Sequence, residues 1–293
     1  MYRGTFTALV TPFHPDGSVD EAAFRKLVDF QFQNGVTGIV PVGTTGESPT
    51  LSYAEHKHVI RLAVEAAQGR GPVIGGTGSN STDEAIELTA SAEAAGCEAV
   101  LQVAPYYNKP SPEGLYRHFK AVADSTQCKI ILYSVPGRCG IDIPVEVTVR
   151  LAADCPNVVC IKEAGGSVER VNQLMAAVPA GFTVLSGDDS LTLPFISVGA
   201  TGVISVASNL IPRQMSDLVN AALAHDLPAA RRLHLKYYPL LSTLMKLDNN
   251  PVPIKAAMAL AGHMDGGLRL PMISMGDEKI GELRAVLAGL NVI

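Results

Sequence analysis

The sequence predicts an α/β fold of the (β/α)₈ TIM barrel class, with a helical extension at its C-terminal end. Short β-branched runs recur eight times, roughly 20 to 35 residues apart. Segments with helical periodicity lie between most of them, and this alternation is what a barrel of parallel strands requires. The runs are apolar along their whole length, as expected of a parallel sheet covered on both faces. An open dinucleotide-binding sheet is disfavoured, because no G-x-G-x-x-G follows the first strand.

The expected strands are TFTALVT (5–11), GIVPV (38–42), PVIGG (72–76), AVLQVA (99–104), KIILY (129–133), VVCIK (158–162), FTVLS (182–186) and GVISV (202–206). The first helix places Phe24, Leu27, Val28 and Phe32 on one face and stops at Gly35. Capping boxes are expected at Ser18 with Glu21, Ser52 with Glu55 and Ser81 with Glu84. Ser111 precedes Pro112 as a cap with proline at the first helical position. After SVASN (205–209) the pattern is helical to the end. We therefore expect residues 1–224 to form the barrel with its site, and residues 225–293 a helical region packed on it.

The bulk numbers narrow the function. A chain of 293 residues can bury a large core. A net charge of −5 gives no reason to expect nucleic acid or an anionic membrane as partner. No apolar stretch is long enough to span a bilayer, and the N-terminus reads as a first strand rather than a leader. Five cysteines without a Cys-x-x-Cys pair point to reduced thiols and a cytoplasmic setting. No metal is expected: His56 and His58 face different sides of one helix, and Asp188 with Asp189 has no third ligand and reads as a helix cap.

Chemistry gathers at the carboxyl ends of the strands, where barrels of this class place their sites. There stand GTTGES, GTGSNST, PYYNKP, YSVPGRCG, KEAGG, SGDDS and SVASN, while the loops at the other rim are ordinary. Lys162 is the outlier, an amine ending the apolar run VVCIK. A lysine after a strand is usually solvated, and a free one, with pKa about 10.4, is almost all ammonium at neutral pH. Walls of Val, Cys and Ile side chains would disfavour the ammonium and leave a nucleophile able to form a Schiff base with a ketone. Tyr133 ends the neighbouring strand and Thr44 follows the second, so a phenol and a hydroxyl could relay protons. Thr44 and Thr45 offer backbone amides to a carboxylate, and Arg138 a guanidinium. Taken singly, each has a plain structural reading: a core tyrosine, a turn cap, a surface arginine, loop packing for Tyr106 and Tyr107.

Taken together, GTTGES, GTGSNST, PYYNKP, YSVPGR, IKEAGG, SGDD and GVISV resemble the motifs of the Schiff-base pyruvate aldolases related to N-acetylneuraminate lyase, and among them the dihydrodipicolinate synthase branch. The likeness runs from about Tyr2 to the C-terminus with the motifs in order. It implies a lyase that condenses pyruvate with L-aspartate 4-semialdehyde to give 4-hydroxy-tetrahydrodipicolinate, in lysine (diaminopimelate) biosynthesis, without a cofactor. Lys162 would form the Schiff base. Tyr133, Thr44 and a Tyr107 from a neighbouring subunit would relay protons. Thr45, Gly187 and Ile204 would bind pyruvate through the main chain, and Arg138 the carboxylate of the aldehyde. The resemblance also implies a homotetramer built as a dimer of dimers, and an L-lysine effector site at His56, Asn80, Glu84 and Tyr106, where Pro49 and Tyr53 depart from the best-known bacterial pattern. Ser134 and Cys139 replace the Asn and Thr usual in the Arg138 loop. Two alternatives stand beside this: a sibling aldolase acting on N-acetylneuraminate or a 2-keto-3-deoxy sugar acid, against which Arg138 speaks, and a barrel that only senses a ligand.

Overall fold

The computed structural model describes residues 1–293. Eight parallel strands form it: β1 Gly4–Ala8, β2 Gly38–Val40, β3 Ile74–Gly76, β4 Ala99–Val103, β5 Lys129–Ser134, β6 Val158–Glu163, β7 Thr183–Ser186 and β8 Gly202–Ser205. Seven adjacent pairs are continuous, and a single bridge between Ile39 and Val73 joins β2 to β3, closing the barrel. The helices between the strands are α1 Glu21–Gln33, α2 Tyr53–Ala67, α3 Thr82–Ala95, α4 Pro112–Asp124, the one-turn α5 Pro136–Cys139, α6 Val145–Asp154, α7 Val168–Ala177 and α8 Thr192–Ser197. After β8 come α9 Pro212–Leu223, α10 Leu227–Lys246, α11 Val252–Leu260 and α12 Asp277–Gly289. Every strand expected from the sequence is present, and so is the C-terminal helical region.

The caps divide. Ser52 and Glu55 form the reciprocal box, and Ser111 caps α4 with Pro112 at its first turn. At α1 the cap is Asp20, whose carboxylate accepts from the Ala23 amide at 2.9 Å. Ser18 lies too far before Glu21 to reach the helix, and its hydroxyl donates to Asp16 instead. Ser81 accepts from the Glu84 amide, but the Glu84 carboxylate turns to Ser79, so only half of that box forms. Gly35 lies beyond the end of α1, whose C-cap is Asn34.

One apolar core runs from Phe6 and Val203 in the barrel to Leu240, Ile254 and Leu283 in the C-terminal helices. That region is not helical throughout, since Ala261 to Gly276 between α11 and α12 is irregular. Its glycines and Pro271 cannot sustain a helix. The segment is nonetheless anchored: the guanidinium of Arg269 donates to both carboxylate oxygens of Glu55 at 2.5 and 3.0 Å and to the carbonyls of Gly17 and Thr50.

Beside it lies a fully buried ion pair. Lys255 of α11 donates to Glu47 at 2.5 Å and to the Thr11 carbonyl at 2.9 Å, with its ammonium over the Phe13 ring. Burial pulls the Lys255 pKa below its ordinary value, against the attraction of Glu47. Glu47 also accepts from the Arg269 amide and sits at φ 56, in the left-handed region, closing the GTTGES turn. Removing one partner of such a pair strands the other charge in a dry interior. Lys255→Ala is expected to cost about 3–5 kcal/mol, read as the shift of the urea unfolding curve. An unchanged curve would refute the anchoring role.

Candidate active site

Lys162 is the fifth residue of β6 and pairs in register with Tyr133 on β5 and Leu185 on β7. Registered neighbours in a parallel sheet share a face, so the amine and the phenol ring are brought side by side. The Lys162 amine lies 4.2 Å from the centroid of the Tyr133 ring. Both residues are buried, Lys162 to 5% exposure. Cys160, in register with Ile131, shares the Lys162 face, while the register shift before it leaves Val158 opposite Ile130 on the other face. Ile161 and Glu163 point the other way, so only part of the apolar run walls the amine.

The outward-pointing Glu163 fixes the turn that follows. One carboxylate oxygen accepts from the Gly165 amide at 2.8 Å and the other from Arg170 at 2.8 Å. Burial raises the Glu163 pKa, and Arg170 opposes the rise. Gly187, after β7, packs directly on the lysine stem. A side chain there would bring its Cβ to 3.1 Å from Lys162 Cε and 2.6 Å from Ala164 Cβ. This close approach is why the position is glycine.

Lys162 opens into a cavity of about 550 Å³ lined by Tyr133, Thr45, Arg138, Gly187, Asp188 and Asn250, among others. Thr45 is buried, and its hydroxyl accepts from the Asn250 side-chain amide at 3.0 Å. Arg138 is carried on α5, exposed at the rim, and donates to the Asn250 carbonyl at 2.9 Å. Ser134, one of the unusual residues of this loop, accepts from the Ile143 amide at 3.2 Å and so ties β5 to the segment before α6. Cys139 is buried, and burial pushes its thiol up to about 11.

Thr44, half-buried, lies on a second cavity of about 420 Å³, together with His56, Ser79, Glu84, Tyr106, Val135 and Arg138. Val135 and Arg138 line both cavities. His56 bonds the Gly76 carbonyl through Nε2 at 2.7 Å, so that nitrogen carries the proton, and burial lowers its pKa. Asn80 lines neither cavity but donates to the Tyr106 carbonyl at 3.1 Å. Tyr107 stands 90% exposed at φ 72, outside the Lys162 cavity. Ile204 is fully buried in β8, and at that strand it is Val206 that lines the cavity. No group of three His, Cys, Asp or Glu side chains is placed to hold a metal ion, and no helix is long and apolar enough to cross a membrane.

Sequence reasoning misread Asp188 and Asp189 as a helix cap and missed Asn250. Asp188 and Asp189 do not cap a helix with their side chains. Asp189 is buried and accepts from the amides of Val206 and Ala207 at 3.0 and 2.8 Å, joining the loops after β7 and β8. Asp188 lines the Lys162 cavity. Asn250 comes from the turn between α10 and α11, which no strand-end motif marks.

Residues 1–289 match the dihydrodipicolinate synthetase family. The chain belongs to that family. The 4-hydroxy-tetrahydrodipicolinate synthase of Nitratidesulfovibrio vulgaris strain DP4 is 48% identical over 293 residues, with both chains covered in full. The structure of the 4-hydroxy-tetrahydrodipicolinate synthase of Methylacidiphilum fumariolicum SolV superposes with a TM-score of 0.97 at 52% identity, over 99% of this chain and 96% of that one. A structure of the Cyanidioschyzon merolae enzyme with lysine bound gives 0.96 at 38% identity, over 100% and 99%.

Asp188 supplies a test of the cavity's electrostatics. Burial raises its pKa from 3.8 to about 6, with Lys162 pulling the other way. A carboxyl that binds its proton more tightly when folded loses stability as pH rises from 3.8 towards 6. Asp188→Asn is therefore expected to stabilise the fold by about 1–3 kcal/mol at pH 7. The gain should shrink below pH 6 and vanish near pH 4, as followed by urea denaturation across that range. A gain that persists at pH 4 would contradict the burial argument.

Proposed function

We propose that the chain condenses pyruvate with L-aspartate 4-semialdehyde to give 4-hydroxy-tetrahydrodipicolinate, a lyase step of lysine biosynthesis through diaminopimelate. One observation carries the reading: a lysine amine held out of water against a tyrosine ring, in a cavity whose rim bears an arginine. An amine so placed can attack the pyruvate ketone, and loss of water leaves an iminium that acts as an electron sink. Backbone amides at Thr44 and Thr45 hold the pyruvate carboxylate, and Gly187 and Ile204 contribute through the main chain. Tyr133, linked through Thr44 to a Tyr107 from a neighbouring subunit, moves protons on and off the carbinolamine oxygen.

Loss of a methyl proton gives the enamine, which attacks the aldehyde carbon. Arg138 holds the carboxylate of the aldehyde. The substrate amino group then displaces Lys162 as the ring closes, so the lysine returns unchanged and the reaction needs no cofactor. The sibling sugar-acid aldolases would use the same lysine and tyrosine, but a guanidinium at the rim fits an amino-acid carboxylate. The exposure of Tyr107 suits a side chain contributed to another subunit, in a homotetramer built as a dimer of dimers and working in the cytoplasm.

Reduction with borohydride in the presence of pyruvate is expected to add the mass of the reduced adduct at Lys162. Lys162→Ala should lose both the adduct and at least about three orders of magnitude in turnover of the two substrates. Arg138→Ala should keep the adduct and raise KM for the aldehyde about 10- to 100-fold. A Lys162→Ala variant with ordinary turnover would overturn the Schiff-base reading.

His56, Glu84 and Tyr106 on the second cavity, with Asn80 beside it, form the L-lysine effector site in this reading. The Cyanidioschyzon merolae relative with lysine bound supports that reading. L-Lysine at millimolar concentration is expected to inhibit turnover, and sedimentation in the same buffer to give a tetramer. Full activity in millimolar lysine would remove the effector site, and a fully active monomer would remove the shared Tyr107.

A further inference from the structure

Two methionines stand at the mouth of the Lys162 cavity, on elements remote in sequence. Met245, the last residue but one of α10, is 47% exposed and lines the cavity. Met272 belongs to the irregular segment between α11 and α12, is half-buried, and lines the same cavity. A residue with surface towards both the cavity and water stands at the opening between them. Leu270 and Ile273 beside Met272 are exposed, so the segment runs along the surface here, held by Arg269 on one side and by the buried Met275 on the other. The mechanism gives neither methionine a part.

The other oxidisable side chains are shielded. All five thiols are free, and none is more than 7% exposed. Burial pushes Cys97 and Cys160 up to about 12 and Cys139 up to about 11, away from the thiolate that oxidants attack. Among the remaining methionines, Met215, Met258, Met264 and Met275 are buried, and Met175 lies against Gly199. Met1 is exposed, but it precedes β1 and so belongs to the opposite rim of the barrel. Exposure and thiolate character decide which sulfur an oxidant reaches. Here both criteria direct it away from the cysteines and towards the cavity mouth.

We propose that Met245 and Met272 are a modification site for hydroperoxides, through which oxidation closes the cavity to its second substrate. The thioether sulfur attacks one peroxide oxygen, the O–O bond breaks, and an S–O bond forms. The leaving oxygen takes the proton and departs as water or an alcohol, so sulfur loses two electrons and the peroxide gains them. A flexible apolar side chain thereby becomes a polar one with an acceptor oxygen. Arg138 lines the same cavity and has N–H donors beyond the one given to the Asn250 carbonyl. The sulfoxide oxygen competes with a substrate carboxylate for those donors, whereas the buried Lys162 amine is left free to form its adduct. The effect on turnover rests on the condensation reading given above, and the modification itself does not. Methionine sulfoxide is reversible by reductases specific for its two epimers, and sulfinic and sulfonic acids of cysteine are not.

The test treats wild type, Met245→Leu, Met272→Leu and the double variant with millimolar hydrogen peroxide. Oxidised positions are read by peptide mass spectrometry, and activity is taken as a fraction of each protein's own untreated value. Met245 and Met272 are expected to gain one oxygen each while the cysteine peptides stay unchanged. Treated wild type should still trap pyruvate with borohydride but lose about 5- to 20-fold in kcat/KM for the aldehyde. A mixture of the two epimer-specific sulfoxide reductases with a thiol reductant should restore it. Each single variant should lose less than wild type, and the double variant should keep its untreated activity.

Equal inactivation of wild type and double variant would overturn the proposal. So would oxidation of both methionines without loss of activity, or a loss that follows cysteine oxidation and resists the reductases. Failure of untreated wild type to consume the two substrates would remove the condensation reading. The mass gain at Met245 and Met272, against unmodified core methionines, would still decide the modification site.

Discussion

Keeping an amine out of water at the end of a parallel strand is the constraint that the rest of the molecule answers. Lys162 is buried because its strand is central to a closed sheet, and it meets Tyr133 because register in that sheet is set residue by residue. A shift of one position would turn Lys162 towards the helices and bring Glu163 into the cavity. Glu163 is secured outward by Arg170 and the Gly165 amide, and those bonds resist the shift. The aldol chemistry and the packing of the outer helix layer are thus two faces of one strand.

The C-terminal helices do more than cover the barrel. Asn250 joins Thr45 of the loop after β2 to Arg138 of the loop after β5. Lys255 and Arg269 converge on Glu47, which closes the same GTTGES turn. A loop that offers its amides to a carboxylate must be held still, since a small displacement of a positioning group costs rate. Glu47 adopts a left-handed backbone, and the bonds from Lys255 and Arg269 compensate that conformation. The extension is therefore part of the site's scaffold.

The legible parts of the sequence were those governed by local rules. Strand identity, most caps and the rim carrying the chemistry follow from periodicity, turn residues and the barrel's polarity. Lys162 could be singled out because an amine contradicts its apolar run. Ser18 misled because its spacing to Glu21 satisfies a box, while Asp20, nearer the helix, makes the competing bond. Asp188 looked like a cap because Asp before a helix usually is one. It lines a cavity that only the closure of the barrel creates. Asn250 carried no signal at all, since its partners Thr45 and Arg138 are remote in sequence and meet only in the folded chain.

Asp188 also shows what the site holds against its own stability. A carboxylate in a largely buried cavity, with its pKa raised to about 6, is mostly ionised at neutral pH and pays for desolvation without a hydrogen bond in return. A core selected only for stability would place an amide or an apolar side chain there.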